Sequence, residues 1–199
     1  MARRRDQTAR RSQLVEAAAQ AVLAHGSTNA RLRDIAAEAG LTPASVLYYY
    51  PDISDLLAAV FEQGTRTYIL RRRAAVEAAT GTWERLAACL HAGVPFPGEP
   101  ETTSRLLYEL VPITFRNESA AEKQAEFFAQ QVELYAQVLA EGESDGTFRL
   151  LAPVPFLARG LVALEDGYGI EVVAGSATPE EVEDQLRTHA RLMTGLAED

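Results

Sequence analysis

Apolar residues recur along the chain at helical spacing, and no stretch alternates with the period of two that a half-buried strand requires. Leu14, Ala18, Ala21 and Val22 mark one face of a first amphipathic helix, which His25-Gly26 closes. A short helix is predicted from Leu32 to Ala39, ended by Gly40. A third begins at Thr42-Pro43, with Thr42 as N-cap and Pro43 in the first helical position, and runs to Tyr49. Pro51 stops it, because the residue before a proline is pushed out of the helical region. Asp52 then caps a long helix to about Ala79, with Asp55 favouring its positive end. Further helices are predicted at about 83–92, 101–115, 119–142, 154–174 and 179–197. The run from Gly93 to Pro100, rich in proline and glycine, reads as a loop. The fold class is therefore all-α, with nine helices.

The second and third helices have the grammar of a helix-turn-helix. Ile35 and Ala39 fall on one side of the first of them, and Ala36 is small where a second helix crosses closely. Gly40 stands where the turn needs a left-handed backbone, which glycine adopts without steric cost. Leu41 returns to the core, and Val46 faces inward from the second helix. Two helices joined by so short a turn meet steeply, so that the second can enter a major groove.

Charge at first argues against a nucleic-acid partner, since the chain carries a net −9. Its distribution reverses that impression. Residues 1–73 hold 11 arginines against 7 carboxylates, a balance of +4, whereas residues 74–199 carry −13. A phosphate-facing N-terminal part on an acidic body fits that asymmetry.

The residues Ile35-Ala36-x-x-Ala39-Gly40-Leu41-Thr42, then Leu47-Tyr48-Tyr49-Tyr50-Pro51 and Leu56-Leu57, resemble the signature of TetR-type regulators. The resemblance implies a three-helix DNA-binding head at 1–51 and a helical effector-binding and dimerisation body at 52–199, linked by the long helix at about 53–79. It implies that Thr42 caps the recognition helix and touches phosphate, that Pro43, Ala44 and Ser45 face base edges, and that Tyr48 and Tyr49 contact the backbone or thymine methyls. Tyr50 matches a core aromatic. Three positions depart from the pattern. Leu47 stands for a common tyrosine, Ile53 for a lysine that grips phosphate, and Arg31 for a capping threonine. Arg31, Arg33 and the arm Arg3-Arg4-Arg5, with Arg10 and Arg11, are candidates to restore the lost charge. The arm reads either as a minor-groove contact or as a solubilising tail.

In the body, Val182, Leu186, His189, Met193 and Leu196 form a narrow seam along the last helix, and Leu157, Leu161 and Leu164 an apolar side of the helix before it. These are the expected interface of a homodimer, the symmetry a palindromic operator requires. The segment from Leu161 to Gly175, with Thr178-Pro179-Glu180-Glu181, also resembles the C-terminal domain of choline- and betaine-pathway repressors. Glu165 and Asp166 lie within an apolar helix, where an unpaired carboxylate is costly. Either they bind a cationic effector together with Trp83, Tyr108, Phe128, Tyr135 or Tyr168, or they pair with Arg159, Arg187 or Arg191.

Other functions find little support. His25, His91 and His189 lack metal-ligand spacing, and no phosphate loop or nucleophile elbow appears, so no metal, cofactor or enzymatic activity is expected. The lone Cys89 reads as a small core residue. No apolar run reaches the roughly 18 residues that cross a bilayer, and no leader with a cleavage site is evident, so the cytoplasm is the expected location. The expectation is a transcriptional regulator, a repressor released from double-stranded operator DNA by a small-molecule effector. A ligand-responsive activator and a non-specific DNA-binding protein are the alternatives.

Overall fold

The computed structural model describes residues 2–196, with side chains from residue 7 onward. The described residues form nine helices and no strand: α1 (Ala2–His25), α2 (Leu32–Glu38), α3 (Pro43–Tyr49), α4 (Ile53–Ala78), α5 (Thr82–Gly93), α6 (Glu99–Thr114), α7 (Glu118–Ser144), α8 (Val154–Val173) and α9 (Pro179–Thr194). Their ends follow local chemistry. Asp52 accepts a hydrogen bond from the Ser54 N–H at 2.8 Å at the start of α4, and Thr178 and Glu181 cap α9 reciprocally. Gly26, at φ 78°, ends α1.

The helices fall into two compact units that do not divide at 51/52. The first comprises Met1–Thr65 with Arg105–Gln124, and the second Arg66–Ser104 with Ala125–Asp199. The chain passes between them within α4, α6 and α7. In the first unit α1 packs on α2 and α2 on α3. Leu14, Ala18 and Val22 of α1, Ile35 and Ala36 of α2, Val46 of α3, and Leu56, Val60 and Phe61 of α4 are fully or almost fully buried. The Ser27 N–H donates to Glu109 of α6.

The second unit has one continuous core, built from Val76, Leu86, Cys89, Leu90, Leu134, Tyr135, Val138, Leu139, Leu161 and Val162 among others. Leu157, Leu161, Val182 and Leu186 belong to this core, and Leu164, Met193 and Leu196 pack against it half-buried. These positions are therefore not the free seam that their spacing suggested. A 4-3-4-3 stripe reports only that a helix buries one face, and here the chain's own α5 and α8 cover that face of α9. His189 is half-buried, its ring 6.0 Å from that of Tyr168.

Candidate functional site

The helix-turn-helix is held by its own backbone. The Leu41 N–H donates to Ala36 O at 2.8 Å and the Gly40 N–H to Ala37 O at 3.0 Å, the paired bonds of a Schellman turn. Gly40 takes φ 64°, the left-handed value this turn requires. From α1, Gln13 donates to Ala39 O at 2.9 Å and accepts from Arg10 at 2.7 Å, which ties the turn to the first helix. Thr42 then caps α3, its Oγ1 accepting from the Ser45 N–H at 3.2 Å. At α2 only half of a capping box is made: Asp34 accepts from the Arg31 N–H at 3.0 Å, and a guanidinium has no acceptor to return the bond.

This frame leaves one side of α3 facing solvent. Thr42, Pro43, Ala44, Leu47 and Tyr48 are exposed, and Ser45 and Tyr49 are half-exposed. Tyr48 has 69% of its surface open and stands edge-on to Tyr49, ring centres 5.1 Å apart. Arg31 and Arg33, at the start of α2, are also exposed, and Arg33 pairs with Asp34 at 3.6 Å. Tyr50 is buried, with the Arg11 guanidinium over its ring at 5.0 Å. A cavity of about 290 Å³ in this unit is lined by Arg11, Tyr49, Tyr50, Pro51, Asp55 and Lys123 among others. The side chains of Arg3, Arg4 and Arg5 lie outside the described ones.

The expected effector residues divide between the two units. Tyr108 belongs to the first unit. Trp83 lies under the Arg191 guanidinium at 5.2 Å and Phe128 under that of Arg159 at 4.7 Å, so both rings are covered by the chain's own cations. Tyr168 sits beside His189. A cleft of about 350 Å³ in the second unit is lined by Arg73, Val76, Glu77, Arg85, Glu133, Leu134 and Gln137.

Glu165 and Tyr135 do meet, in the centre of the second unit. Their ionic partner is Arg72 of α4, which the sequence reading did not select. Arg72 is wholly buried and meets the carboxylate with both ends of its fork, Nη1–Oε1 at 2.8 Å and Nη2–Oε2 at 2.9 Å. The Tyr68 and Tyr135 hydroxyls also donate to this carboxylate, Tyr135 at 2.5 Å. The same guanidinium reaches Gln131 at 3.2 Å and the Cys89 sulfur at 3.2 Å. Gly93 makes the arrangement possible, because a Cβ there would overlap the Glu165 carboxylate. Burial pushes the Tyr135 hydroxyl well up and raises the Cys89 thiol against the pull of Arg72. Burial also raises Asp166, to about 6; the Glu165 charge adds to the rise and Arg72 opposes it. Arg159, Arg187 and Arg191 do not take the Glu165 carboxylate: Arg159 and Arg191 cover rings and Arg187 pairs with Glu183.

The signal for Arg72 was present. Phe61, Thr65, Tyr68, Arg72 and Val76 follow one buried stripe of α4, and the arginine interrupts an otherwise core-facing row. Among the described residues no group of side chains could hold a metal ion, and no helix is long and apolar enough to cross a membrane.

Two family models cover most of the chain. Residues 14–60 match the bacterial regulatory proteins of the tetR family, and residues 83–195 match the BetI-type transcriptional repressor C-terminal domain. No curated protein matches. Solved structures share the fold. A putative transcriptional regulator from Saccharomonospora viridis in complex with choline is 23% identical, with 89% of this chain and 93% of that chain covered and a TM-score of 0.82. A TetR transcription regulator from Haloarcula marismortui is 22% identical over 94% of this chain and 98% of that one, TM-score 0.82. The fatty acid degradation regulator FadR from Bacillus halodurans is 20% identical over 94% and 99%, TM-score 0.71. With a helix-turn-helix and a BetI-type C-terminal domain in one chain, this protein belongs to the tetR family and is a DNA-binding transcriptional regulator of the repressor type.

Proposed function

We propose that the protein represses transcription as a homodimer on a palindromic operator and leaves it when a small-molecule effector, cationic in our reading, binds the second unit. The observation that carries this reading is the exposed face of α3, whose polar and aromatic groups are held by a rigid turn and left without partners inside the protein's core. Thr42 and the exposed arginines supply phosphate contacts that set register. Ser45, Ala44 and Tyr48 supply hydrogen bonds and apolar contacts in the groove. Arg31 and Arg33 take over the phosphate contact that Leu47 and Ile53 cannot make.

A second copy has a different face to occupy than the buried seam. Phe156 (71% exposed), Ala163, Gly167 and Ile170 (54%) line one exposed side of α8, and Leu192 (64%) stands out from α9. A Cβ at Gly167 would touch nothing within the chain, and one at Gly160 would meet only Met193 at 3.8 Å. Their lack of side chains therefore serves no packing inside one copy and suits close approach of another. Choline in the Saccharomonospora viridis regulator supports a small organic cation as effector class. An effector that prefers one of two states of the dimer shifts operator affinity by its differential binding, with α4, continuous through both units, as the connecting element.

Titrating the protein against the upstream region of its own gene and against scrambled DNA tests the reading. Tighter binding to one palindromic site, weakened by about tenfold or more in Tyr48→Ala with the dimer intact, is the expected result. Equal affinity for both DNAs overturns it.

A further inference from the structure

The centre of the second unit has the composition of a receptor for a cation, and it already contains one. Glu165 supplies the negative charge, Tyr68 and Tyr135 supply two ring faces, and the Arg72 guanidinium lies 5.4 and 4.8 Å from the two ring centres while bonded to the carboxylate. Carboxylate plus aromatic faces is the chemistry that recognises alkylammonium and guanidinium ligands. Stability alone explains the arrangement poorly, because a buried ion pair is often matched by apolar residues of similar volume. Three details instead fit a side chain occupying a box. The Arg72 Nε is buried with no acceptor, so the ionic contacts are made by the two terminal nitrogens of the guanidinium alone. The two tyrosine hydroxyls also donate directly to the Glu165 carboxylate, that of Tyr68 while accepting from Arg72 Nη1 at 3.4 Å. Gly93 gives the carboxylate its place, since a Cβ there would overlap it. Trp83 and Phe128, the other candidate rings, carry arginines nearer the surface.

We propose that Glu165, Tyr68 and Tyr135 form a self-occupied cation box, in which Arg72 is the resident ligand and a small organic cation binds by displacing it. This rests on the effector-responsive reading above and names its site. The displacement carries a direct consequence for the fold: α4 loses its ionic tie to α8 when Arg72 leaves. Ligand entry and the loss of that ionic tie are then one event, with affinity set by the difference between the incoming cation and the arginine it replaces.

The test removes the resident cation and offers it back. The full-length Arg72→Ala variant is titrated with methylguanidinium chloride, and with N-methylurea as its uncharged isostere, by calorimetry and thermal unfolding without DNA. The expected result is saturable uptake of one methylguanidinium per chain with a rise in Tm of several degrees, no response to methylurea, and loss of uptake when Glu165→Gln is added. The wild-type chain takes the same cation at least tenfold more weakly, because Arg72 competes. If Arg72→Ala does not fold alone, its refolding in methylguanidinium and not in methylurea is the supporting result. An Arg72→Ala chain indifferent to the cation, folded or unfolded, overturns the proposal, as does an equal response to methylurea or equal affinity in the wild type. DNA enters none of these arms, so loss of the box and loss of the operator reading are separate outcomes.

Discussion

Tyr48 and Tyr135 show how differently the two units use the same side chain. Tyr48 projects from α3 with most of its surface open, whereas Tyr135 is wholly buried and donates to Glu165. The arginines divide likewise. Arg31 and Arg33 stand exposed near the start of α2, while Arg72 is enclosed with a carboxylate, two tyrosines, a glutamine and a thiol around it. In the first unit apolar contacts and backbone turns build the frame, and polar side chains are left over for something outside it. In the second the polar side chains are consumed within the core and become part of its specification. A mutation should therefore harm recognition in the first unit and folding in the second.

The sharpest break of that comparison is Glu165→Ala. It leaves the Arg72 charge buried and unpaired, a loss of about 3–5 kcal/mol, to be read as a lower midpoint in urea unfolding; an unchanged midpoint would mean that the pair contributes nothing to the core. Gly40→Val comes next, since a β-branched residue resists the φ of 64° at the turn. It should cost about 1–2 kcal/mol and weaken operator binding more than it lowers stability. Thr42→Ala removes the cap of α3 at about 1 kcal/mol, and gel-shift titration should show weaker binding without a change in oligomeric state.

Asp166 gives a pH signature. Its carboxyl is raised from 3.8 to about 6 by burial and the neighbouring Glu165 charge. The folded state thus holds this proton more tightly than the unfolded state, and stability falls as pH rises from about 4 to about 6. Asp166→Asn removes the charge, so its Tm should exceed that of the wild type above pH 6, and the difference should vanish near pH 4. A constant difference across that range would assign the effect to packing.

Much of the first unit was legible in sequence because its determinants are local. The Gly40 turn, the Thr42-Pro43 start and the Tyr50-Pro51 stop each act over a few residues, and all nine helices follow from such signals with periodicity. The core of the second unit depends on contacts distant in sequence. Glu165 was recognisable as a carboxylate in an apolar helix, but nothing local tells which of the chain's arginines reaches it. Arg72 lies 93 residues away and inside an Arg-Arg-Arg run that reads as surface charge. The seam of α9 failed for a related reason. Periodicity locates an apolar face without saying whether the chain itself or a second copy covers it, and Leu186 turned out to be fully enclosed by its own unit. Aromatic type marks candidate rings in sequence but carries no information on where Arg159 and Arg191 come to rest.

The enclosure of Cys89 gives this protein a clock. It is the chain's single cysteine, fully buried, its thiol raised by burial and touched by the Arg72 guanidinium. A thiol reagent in solution can meet that sulfur only during moments when the second unit opens, so its labelling rate counts those openings one molecule at a time. No engineered probe is needed to follow them: operator, effector and mutations all leave their mark on how often a single sulfur atom sees water.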